Sequence, residues 1–519
     1  MERLISFDRV TCRIRDTLLL RDVTWTLHRG EHWVILGPNG SGKSTLARTV
    51  AGVLPTAGGI RTVHGETRVS LVSFEEQQRL LLQELDRDHQ RYYAGAVDDH
   101  TTARDLIGPA NYRNQRTGPA HPSDVLRSSP SSIVDTLLQD YPVLKRVWGQ
   151  SIRSLSAGEM RTVFLARAFA QQPDVLILDE PYDGLDAPAR ENLQRMISQS
   201  IAQGIQIILA THRYEEIPPE ITHAITVQDG EILRQGTRHK VLQQDHLDHV
   251  YYTHRNNGVV PTGTGLPPEV STSAARAPLP PVSSSEPPLV QFTSTTIWEG
   301  SRDLIRDLTW RVHRGEHWVL QGPNGSGKTT LLNLIRGDDP RGYAVRLTLF
   351  GVPRGSGESI WELRTRIGTV TPHGQLTYTR NVTVLEAVVS GFYGSVGLFQ
   401  PPQDTEIDAA HRLLDLLGIP AIAEKPILQT SYGQRRLVMI GRAMVHQPEL
   451  LLLDEPCQGL DPYNRRVVIN AVDRICREAR STIIYITHHG DEIPPSISRV
   501  LSLTGDGSWL SGQLPPTTV

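Results

Sequence analysis

Two segments of the sequence have the residue types and the spacing that hold the phosphates of a nucleotide. Both fit the pattern GxxxxGK[ST], in which glycines allow successive backbone N–H groups to point at phosphate oxygens. The lysine of this pattern contacts the β- and γ-phosphates, and the Ser or Thr after it ligates Mg²⁺. The two segments are Gly37, Pro38, Asn39, Gly40, Ser41, Gly42, Lys43, Ser44 and Thr45, and Gly322, Pro323, Asn324, Gly325, Ser326, Gly327, Lys328, Thr329 and Thr330. We therefore predict two sites that bind ATP with Mg²⁺, in which Ser44 and Thr329 are metal ligands.

Two adjacent carboxylates follow an apolar run at matched places in the chain. The runs VLIL at 175–178 and LLLL at 450–453 are typical of buried parallel strands, and each ends in Asp-Glu-Pro. The first acid of each pair, Asp179 or Asp454, is placed to hold Mg²⁺ through water. The second acid, Glu180 or Glu455, can polarise the water that attacks the γ-phosphate. We predict that these two glutamates are catalytic.

One histidine follows a further apolar strand in each half of the chain. His212 comes after IILA at 207–210, and His488 comes after IIYI at 483–486. A single histidine at a strand end is more often structural than catalytic. Because these two occupy matched positions, we predict that both act in catalysis.

The order of these segments indicates two copies of one domain. HRGEHWVILGPNGSGKSTL at 28–46 returns as HRGEHWVLQGPNGSGKTTL at 313–331, and VLILDEPYDGLD at 175–186 returns as LLLLDEPCQGLD at 450–461. Between the copies lies a stretch rich in Pro, Ser and Thr, which has too few large apolar residues to fold alone. We predict a first domain at 1–255, a flexible linker at 256–288 and a second domain at 289–519. A polar stretch at about 86–130 is predicted to be a mobile insertion in the first domain.

A third motif relates both copies to a known family. LSAGE at 155–159 and TSYGQ at 430–434 precede the two Asp-Glu pairs and resemble the LSGGQ signature of ABC ATPases. The phosphate loop, signature, acid pair and histidine recur twice in the family's order, and the resemblance covers nearly the whole chain outside the linker. It implies two P-loop NTPase ABC cassettes of the α/β class. Each would have a mainly parallel sheet core, an antiparallel β edge and a helical subdomain.

The resemblance also implies how the two domains work together. In this family two cassettes close head to tail, and each ATP lies between the phosphate loop of one cassette and the signature of the other. It would place Ser431 and Gly433 opposite the first phosphate loop, and Ser156 and Gly158 opposite the second. A signature Ser hydroxyl and Gly N–H at a helix start form a second site for the γ-phosphate. ATP then joins the domains through intramolecular pairing, and its hydrolysis separates them.

One departure from the family pattern concerns coupling to a partner. The family carries a glutamine after a strand beyond the phosphate loop, where it contacts Mg²⁺ and relays to a membrane subunit. Our alignment puts Phe74 and Pro372 at that position, with Gln77, Gln78 and Gln375 close by as substitutes. The sequence therefore leaves the coupling residue open.

A second departure concerns the adenine and the signatures. The family places an aromatic residue before the phosphate loop, where it stacks on adenine. Trp298 fits this role in the second domain, whereas the first domain offers Arg13 or Ile14. Glu159 replaces the signature Gln in one copy, and Tyr432 replaces a Gly in the other. These differences predict two ATP sites of unequal activity.

The length and composition of the chain argue against several classes of protein. The chain has 519 residues, which favours more than one domain, with 38% hydrophobic and 21% charged residues and a net charge of −3. This charge does not indicate a nucleic-acid partner. Only three cysteines occur and no CxxC pair, which argues against a disulfide framework, a zinc site or an iron–sulfur domain. No apolar run approaches the ~20 residues needed to cross a bilayer. We expect a cytoplasmic protein, with peripheral attachment to a membrane where a permease subunit is the partner.

The sequence leaves three roles open for the ATP-driven motion. More narrowly, RGEHW before both loops and LTLFGVPRGSGESIW at 347–361 resemble tandem ATPases of the ModF/PhrA type, which are associated with molybdenum transport or photorepair. The first role is the energy subunit of a molybdate-type importer, which requires a membrane permease from another gene. The second is a soluble ATP switch that acts on nucleic acid, a ribosome or a repair complex. The third is an ATP-dependent regulator or oxyanion sensor.

Overall fold

The chain forms two compact units in a computed structural model, Met1–Val250 and Tyr251–Val519. The structure describes residues 2–14, 17–73, 77, 101–107, 135, 137–139, 141–152, 155, 157–243, 246–247, 250–251, 286–300, 302–371 and 382–514. Most of the predicted linker at 256–288 lies outside these ranges, and so does the predicted insertion at about 86–130 except for 101–107. The three domain boundaries therefore stay predictions.

The first unit alternates strands and helices after an antiparallel start. Its strands are β1 (Arg3–Ile14), β2 (Thr17–His28), β3 (Trp33–Leu36), β4 (Gly58–Val63), β5 (Val69–Ser73), β6 (Val175–Asp179), β7 (Gln206–Thr211), β8 (His223–Gln228) and β9 (Glu231–Thr237). Its described helices are α1 (Lys43–Ala51), α2 (Ala103–Ile107), α3 (Pro142–Val147), α4 (Ala157–Phe169), α5 (Ala187–Ala202) and α6 (Arg238–Val241).

The main sheet of the first unit brings the predicted site residues to one edge. Its order is β5-β6-β7-β3-β8-β9, and every neighbouring pair is parallel except β8 with β9. Every residue of β3, β6 and β7 is buried, which explains why these strands read as continuous apolar runs. The carboxyl ends of parallel strands meet at the same edge, where ligands bind in α/β proteins.

A second, smaller sheet packs its apolar side into the core of the same unit. It has the order β2-β1-β4 and is antiparallel throughout. Side chains of β1 and β2 form one buried cluster with Leu46 and Val50 of α1 and with residues of β3, β6 and β7. The helix that follows the phosphate loop is therefore fixed by both sheets.

The second unit repeats this plan with added elements. Its strands are β10 (Val290–Glu299), β11 (Arg302–Val312), β12 (Trp318–Gln321), β13 (Leu347–Leu349), β14 (Val352–Pro353), β15 (Ile367–Val370), β16 (Leu450–Asp454), β17 (Thr482–Ile486), β18 (Arg499–Leu503) and β19 (Trp509–Gln513). Its helices are α7 (Lys328–Arg336), α8 (Ile360–Arg366), α9 (Val384–Val389), α10 (Asp404–Leu416), α11 (Tyr432–Met444) and α12 (Pro462–Glu478).

The sheets of the second unit match those of the first in order. The main sheet runs β15-β16-β17-β12-β18-β19, parallel except for the last pair, and the antiparallel sheet runs β11-β10-β13-β14. Helices α9, α10 and α11 bury a common apolar cluster with α12. The predicted α/β class, with a mainly parallel core, an antiparallel edge and helical packing, is confirmed.

The repeated segment RGEHW has a structural explanation. Glu31 Oε2 accepts hydrogen bonds from the His28 N–H at 3.0 Å and from the Trp33 indole N–H at 3.1 Å, which closes the turn before β3. His32 Nδ1 accepts from the Ile207 N–H on β7 at 3.2 Å, and His317 Nδ1 accepts from the Ile483 N–H on β17 at 3.2 Å. The segment thus joins each central strand to the neighbouring strand that precedes a predicted catalytic histidine.

These two buried histidines predict that the fold loses stability in acid. Burial lowers the pKa of His32 and of His317, because a protonated ring would lose the hydration that stabilises its charge. The unfolded chain, with a histidine pKa of about 6.5, then binds more protons, so the free energy of unfolding falls as the pH drops below that value. A His32→Asn/His317→Asn variant keeps an oxygen acceptor at every pH. Its thermal midpoint should fall less than that of the wild type between about pH 7.5 and about pH 5.5.

The control for this experiment is His411→Asn, which changes an exposed histidine of α10. It should keep the pH dependence of the wild type. An equally steep fall in the double variant and in the wild type would show that the two buried rings do not set the acid sensitivity.

Candidate active sites

Each phosphate loop joins a buried central strand to the start of a helix. Gly42 and Gly327 lie just before α1 and α7 with φ of 108° and 97°, a left-handed conformation that suits glycine. Lys43 Nζ donates to the carbonyl oxygens of Gly37 and Pro38 at 2.9 and 3.2 Å. Lys328 Nζ makes the matching bonds to the loop carbonyls at 2.8 Å each. Both lysines are therefore folded over their loops, where phosphates would replace the carbonyl contacts.

The first glycine of each loop is required by a close backbone approach. A Cβ on Gly37 would lie 2.2 Å from the Val227 carbonyl oxygen, and one on Gly322 would lie 2.5 Å from that of Leu503. Any other residue would push the loop away from β8 or β18. The pattern GxxxxGK[ST] thus sets the packing of the loop as well as its opening toward phosphate.

The first acid of each pair lies at the end of its strand, where Asp179 is buried and Asp454 is partly buried. Asp179 Oδ1 accepts a hydrogen bond from Ser44 Oγ at 3.0 Å, which joins the end of β6 to the start of α1. Burial, with the neighbouring Glu180 charge, raises the pKa of Asp179 to about 7. Burial and Glu455 raise the pKa of Asp454 to about 6. Both acids would therefore be stabilised by a nearby cation.

The donors at this edge fit Mg²⁺. Ser44 Oγ and Asp179 Oδ1 are hard oxygen ligands within contact of one another, the type that Mg²⁺ prefers. Among the described residues, the buried Ser41 Oγ and Ser326 Oγ have no hydrogen-bond partner, so each loop keeps a polar group directed at its interior. The residues present therefore fit a metal–phosphate ligand.

The second acid of the first unit sits in a strained backbone conformation beside the phosphate lysine. Glu180 has φ of 48°, and its N–H donates to the Ala210 carbonyl at 2.8 Å. His212 donates to Glu180 Oε2 from Nδ1 at 2.9 Å and from its backbone N–H at 3.3 Å, and Lys43 Nζ lies 3.6 Å from Glu180 Oε1. Burial raises the pKa of Glu180, but His212 and Lys43 together outweigh it and hold that pKa at about 2. This carboxylate is charged at neutral pH.

The second unit repeats the glutamate–histidine contact. Glu455 has φ of 44°, and its N–H donates to the Ile486 carbonyl at 3.1 Å. His488 Nε2 lies 2.6 Å from Glu455 Oε1, although the ring N–H is not aligned for a hydrogen bond. The structure therefore brings together the predicted phosphate loop, acid pair and histidine in both units.

The signature of the second unit begins helix α11. Ser431 Oγ accepts from the Gln434 N–H at 3.2 Å, and Gln434 Oε1 accepts from the Ser431 N–H at 3.0 Å, which forms a capping box. A Cβ on Gly433 would lie 2.3 Å from Asn464 Oδ1 and 2.7 Å from Asn464 Cβ. Gly433 thus lets the signature pack directly against the first turn of α12.

In the first unit the signature is only partly described. Ser156 lies outside the described residues, whereas a Cβ on Gly158 would lie 2.9 Å from Ala189 Cβ in α5. Glu159 is paired with Arg146, since Arg146 Nη2 lies 2.6 Å from Glu159 Oε1. The negative charge that departs from the family pattern is therefore partly balanced within its own unit.

Sequence reasoning missed a buried arginine in each signature helix. Arg161 Nη2 donates to the carbonyl oxygens of Glu180 and Asp183 at 3.4 and 3.1 Å, and Arg161 Nη1 donates to Gln77 Oε1 at 2.9 Å. In the second unit Arg436 Nη2 donates to the Gln458 carbonyl at 3.4 Å. These arginines connect the signature helix to the loop that follows the catalytic glutamate. Arginines are almost never fully buried unless they are paired. The sequence does not show which arginine of the signature helix is buried, whereas the fold does.

One of the glutamines near the predicted coupling position, Gln77, contacts the buried arginine of the first signature helix. Phe74, Gln78, Pro372 and Gln375 lie outside the described residues. Gln77 is buried, and Arg161 links it to the carbonyl of Glu180. Gln77, one of the predicted substitutes, is therefore linked through Arg161 to the loop that follows Glu180.

The positions predicted to contact adenine carry different side chains in the two units. Trp298 pairs with Asp303 across the β10–β11 hairpin, and Arg13 pairs with Leu18 across β1–β2 at the matched register. Arg13, rather than Ile14, is thus the counterpart of Trp298. The Trp298 side chain is exposed, so its ring is open to a ligand.

The sequence of this chain is similar to those of known proteins over most of its length. The profile of a family described as ABC transporter matches residues 20–183 and 305–458. ABC transporter ATP-binding protein ModF of Escherichia coli (strain K12) is 35% identical and covers 96% of both chains. An uncharacterized ABC transporter ATP-binding protein of Schizosaccharomyces pombe is 27% identical and covers 96% of this chain and 97% of its own.

A solved structure with the same fold also spans most of the chain. The complex of archaeal ribosomal stalk protein aP1 with archaeal ribosome recycling factor aABCE1 gives a TM-score of 0.53 at 17% identity. The match covers 97% of this chain and 89% of that chain. At this identity the likeness shows the fold alone.

The packing of the signature glycines predicts unequal costs of substitution. Gly433→Ala should destabilise the protein by about 1–3 kcal/mol, because the added methyl would overlap Oδ1, Cγ and Cβ of Asn464. Gly158→Ala should cost less, since its clash is with one methyl group. The control is Gly512→Ala on β19, where a Cβ would meet nothing within 4 Å. A thermal midpoint for Gly433→Ala equal to that of the control would contradict this packing.

Proposed function

This chain belongs to the ABC transporter family and is an ATPase, and we propose that it hydrolyses ATP at two sites, one on each phosphate loop. The observation that carries the proposal is the contact of Glu180 with both His212 and Lys43 at the end of β6. It puts a charged carboxylate beside the lysine that would hold the γ-phosphate. Glu455 and His488 make the corresponding contact in the second unit.

In this mechanism each loop first fixes the triphosphate. The backbone N–H groups of 37–45 and 322–330 surround the phosphates, and Lys43 and Lys328 exchange their loop carbonyls for phosphate oxygens. Ser44 with Asp179, and Thr329 with Asp454, would hold Mg²⁺. The ion would neutralise the charge that develops on the β- and γ-phosphates. Trp298 would stack on the adenine of the second site.

The catalytic glutamates then act on water. Because its pKa is held at about 2, Glu180 is an anion that accepts a hydrogen bond from the water and orients it toward the γ-phosphate. Glu455 takes this part in the second site. His212 and His488 fix their glutamates by direct contact and would donate to the γ-phosphate as its charge grows.

The two domains would complete each other's sites in the manner of the family. Each unit carries a phosphate loop and also a signature helix, which supports a pairing of Ser431 and Gly433 with the first ATP and of Ser156 and Gly158 with the second. Binding of ATP would close the pair, and hydrolysis would open it. The functional domains would be 1–255 and 289–519, joined by the linker at 256–288.

We further propose that the motion energises a membrane permease with a molybdate-type cargo. The support is the 35% identity to ModF over 96% of both chains. No helix in the described part of the chain has the length and apolar character to cross a bilayer, so the permease would be a separate partner. Co-purification of membrane subunits with the chain would support this role. If the chain instead associates with a complex that nuclease treatment disrupts, the permease role would be wrong. A switch acting on nucleic acid or a ribosome would then be supported.

The test of ATP hydrolysis compares the wild type with a Glu180→Gln/Glu455→Gln variant. The variant keeps the shape of both sites but removes the anions that orient water, so turnover should fall by about 10²–10⁴-fold. ATP binding in the presence of Mg²⁺ should persist. Steady hydrolysis at the wild-type rate in the variant would show that these glutamates are not the catalytic groups.

A further inference from the structure

The two catalytic histidines face their glutamates with different ring nitrogens. In the first unit His212 Nδ1 donates to Glu180 Oε2 at 2.9 Å. In the second unit it is Nε2 of His488 that lies 2.6 Å from Glu455 Oε1. The two rings therefore differ in orientation although strands β7 and β17 place them at matched positions.

A second carboxylate accompanies this difference in the first unit. Asp183 Oδ1 lies 3.9 Å from His212 Nε2, and the Asp183 side chain is only 11% exposed. His212 thus lies between two acids: Nδ1 is hydrogen-bonded to Glu180, and Asp183 is close to Nε2 without a hydrogen bond to it. The three groups offer donor atoms close enough to share a metal ion. Carboxylates at opposite nitrogens of one ring, however, suit an imidazolium better than a metal bound through a single nitrogen.

The second unit has an amide at the position of this acid. Arg161 Nη2 donates to the backbone carbonyl of Asp183, and Arg436 Nη2 donates to that of Gln458. The two backbones therefore occupy the same place relative to their signature helices. The change that matters is in the side chain, from a carboxylate to a neutral amide.

The charges around His212 favour the protonated form of its ring. Burial lowers the pKa of His212, but Glu180 and Asp183 raise it more, so that the ring pKa lies above its usual value. Lys43 of α1 opposes this rise. The other charged groups at this place are Arg161 of α4, and Arg213 and Glu216 after β7, which interact with Asp183.

We propose that Asp183 is a positioning residue that clamps His212 by its Nε2 side and makes the first ATP site slower than the second. This inference rests on the proposed function of the two sites. A donor that stabilises a transition state works best when it is already aimed at the developing charge and costs no reorganisation. His212 would have to leave Asp183 before its Nε2–H could reach the γ-phosphate. His488 has no acid at the position of Asp183, because Gln458 stands there.

The test is a reciprocal exchange, Asp183→Gln and Gln458→Asp, with the other site silenced in each case. A Glu455→Gln background isolates the first site, and a Glu180→Gln background isolates the second. Asp183→Gln should raise kcat of the first site between about threefold and about thirtyfold, with little change in KM for ATP. This range is smaller than the change in kcat of about 10²–10³-fold that typically follows complete loss of one transition-state hydrogen-bond donor. Gln458→Asp should lower kcat of the second site.

A spectroscopic measurement tests the clamp independently of hydrolysis. With ¹⁵N-labelled histidine, and the His212 signals assigned from a His212→Gln variant, Asp183→Gln should lower the pKa of the His212 ring. Asp183→Asn, which keeps the shape of the side chain, should do the same and serves if Asp183→Gln folds poorly. Glu215→Gln removes an exposed acid nearby and should leave the His212 pKa unchanged.

The outcomes separate this inference from the proposed function. A lower His212 pKa together with a faster first site supports the clamp. An unchanged pKa, or a kcat that is unchanged or reduced in both Asp183 variants, overturns it. If the wild type shows no hydrolysis at either site, the proposed function fails, whereas the His212 titration still reports whether Asp183 holds the ring.

Discussion

Two adjacent carboxylates, buried or partly buried at the end of a central strand, impose the constraint on which the rest of each unit depends. Removing an ion from water costs several kcal/mol even after the protein relaxes, so such a pair persists only if neighbouring elements supply compensating groups. In the first unit Ser44 and Lys43 come from α1, and His212 comes from the end of β7. The strand order β6-β7-β3 places these elements side by side. The fold thus assembles the groups that stabilise the acids, and the same groups would bind the phosphates.

The second unit meets the same constraint with corresponding neighbours. Its acid pair lies beside Lys328 and His488, and the parallel order of its main sheet is the same. Two features set it apart: Gln458 stands where the first unit has an acid, and the exposed Trp298 stands where the first unit has Arg13. Duplication has therefore kept the scaffold of the site while its immediate surroundings diverged. Asp183 lies 3.9 Å from His212, so the first of these differences adjoins a predicted catalytic group, which is where unequal rates would arise.

Much of the site could be predicted from the sequence because its signals are local. A phosphate loop is a short run of glycines before a lysine, and the acid pair follows an uninterrupted apolar strand, so both can be recognised without knowing what lies beside them. The mainly parallel sheet core followed from the two-domain α/β interpretation, whereas the order of its strands did not. The structural reason for RGEHW was not apparent, since Glu31 and His32 act through bonds to the preceding turn and to a strand far along the chain.

The remaining features depend on contacts that sequence spacing does not encode. Arg161 is one of several arginines near the signature, and only the folded helix shows that it reaches the carbonyl of Glu180 and the side chain of Gln77. Gly433 was recognised from a motif. The reason that it must be glycine is that a Cβ there would clash with Asn464 on another helix. The ring orientations of His212 and His488 could not be inferred from the sequence, because they depend on side-chain contacts within the folded site.

The most direct test of the account counts the ATP molecules that one chain binds. Equilibrium dialysis of the Glu180→Gln/Glu455→Gln chain with Mg²⁺ and ATP should give two nucleotides per chain. Adding Lys43→Ala or Lys328→Ala should remove one nucleotide in each case, since each lysine serves one loop. A stoichiometry of two that neither lysine variant lowers would contradict the assignment of the loops, and a chain that binds no ATP would contradict the account as a whole.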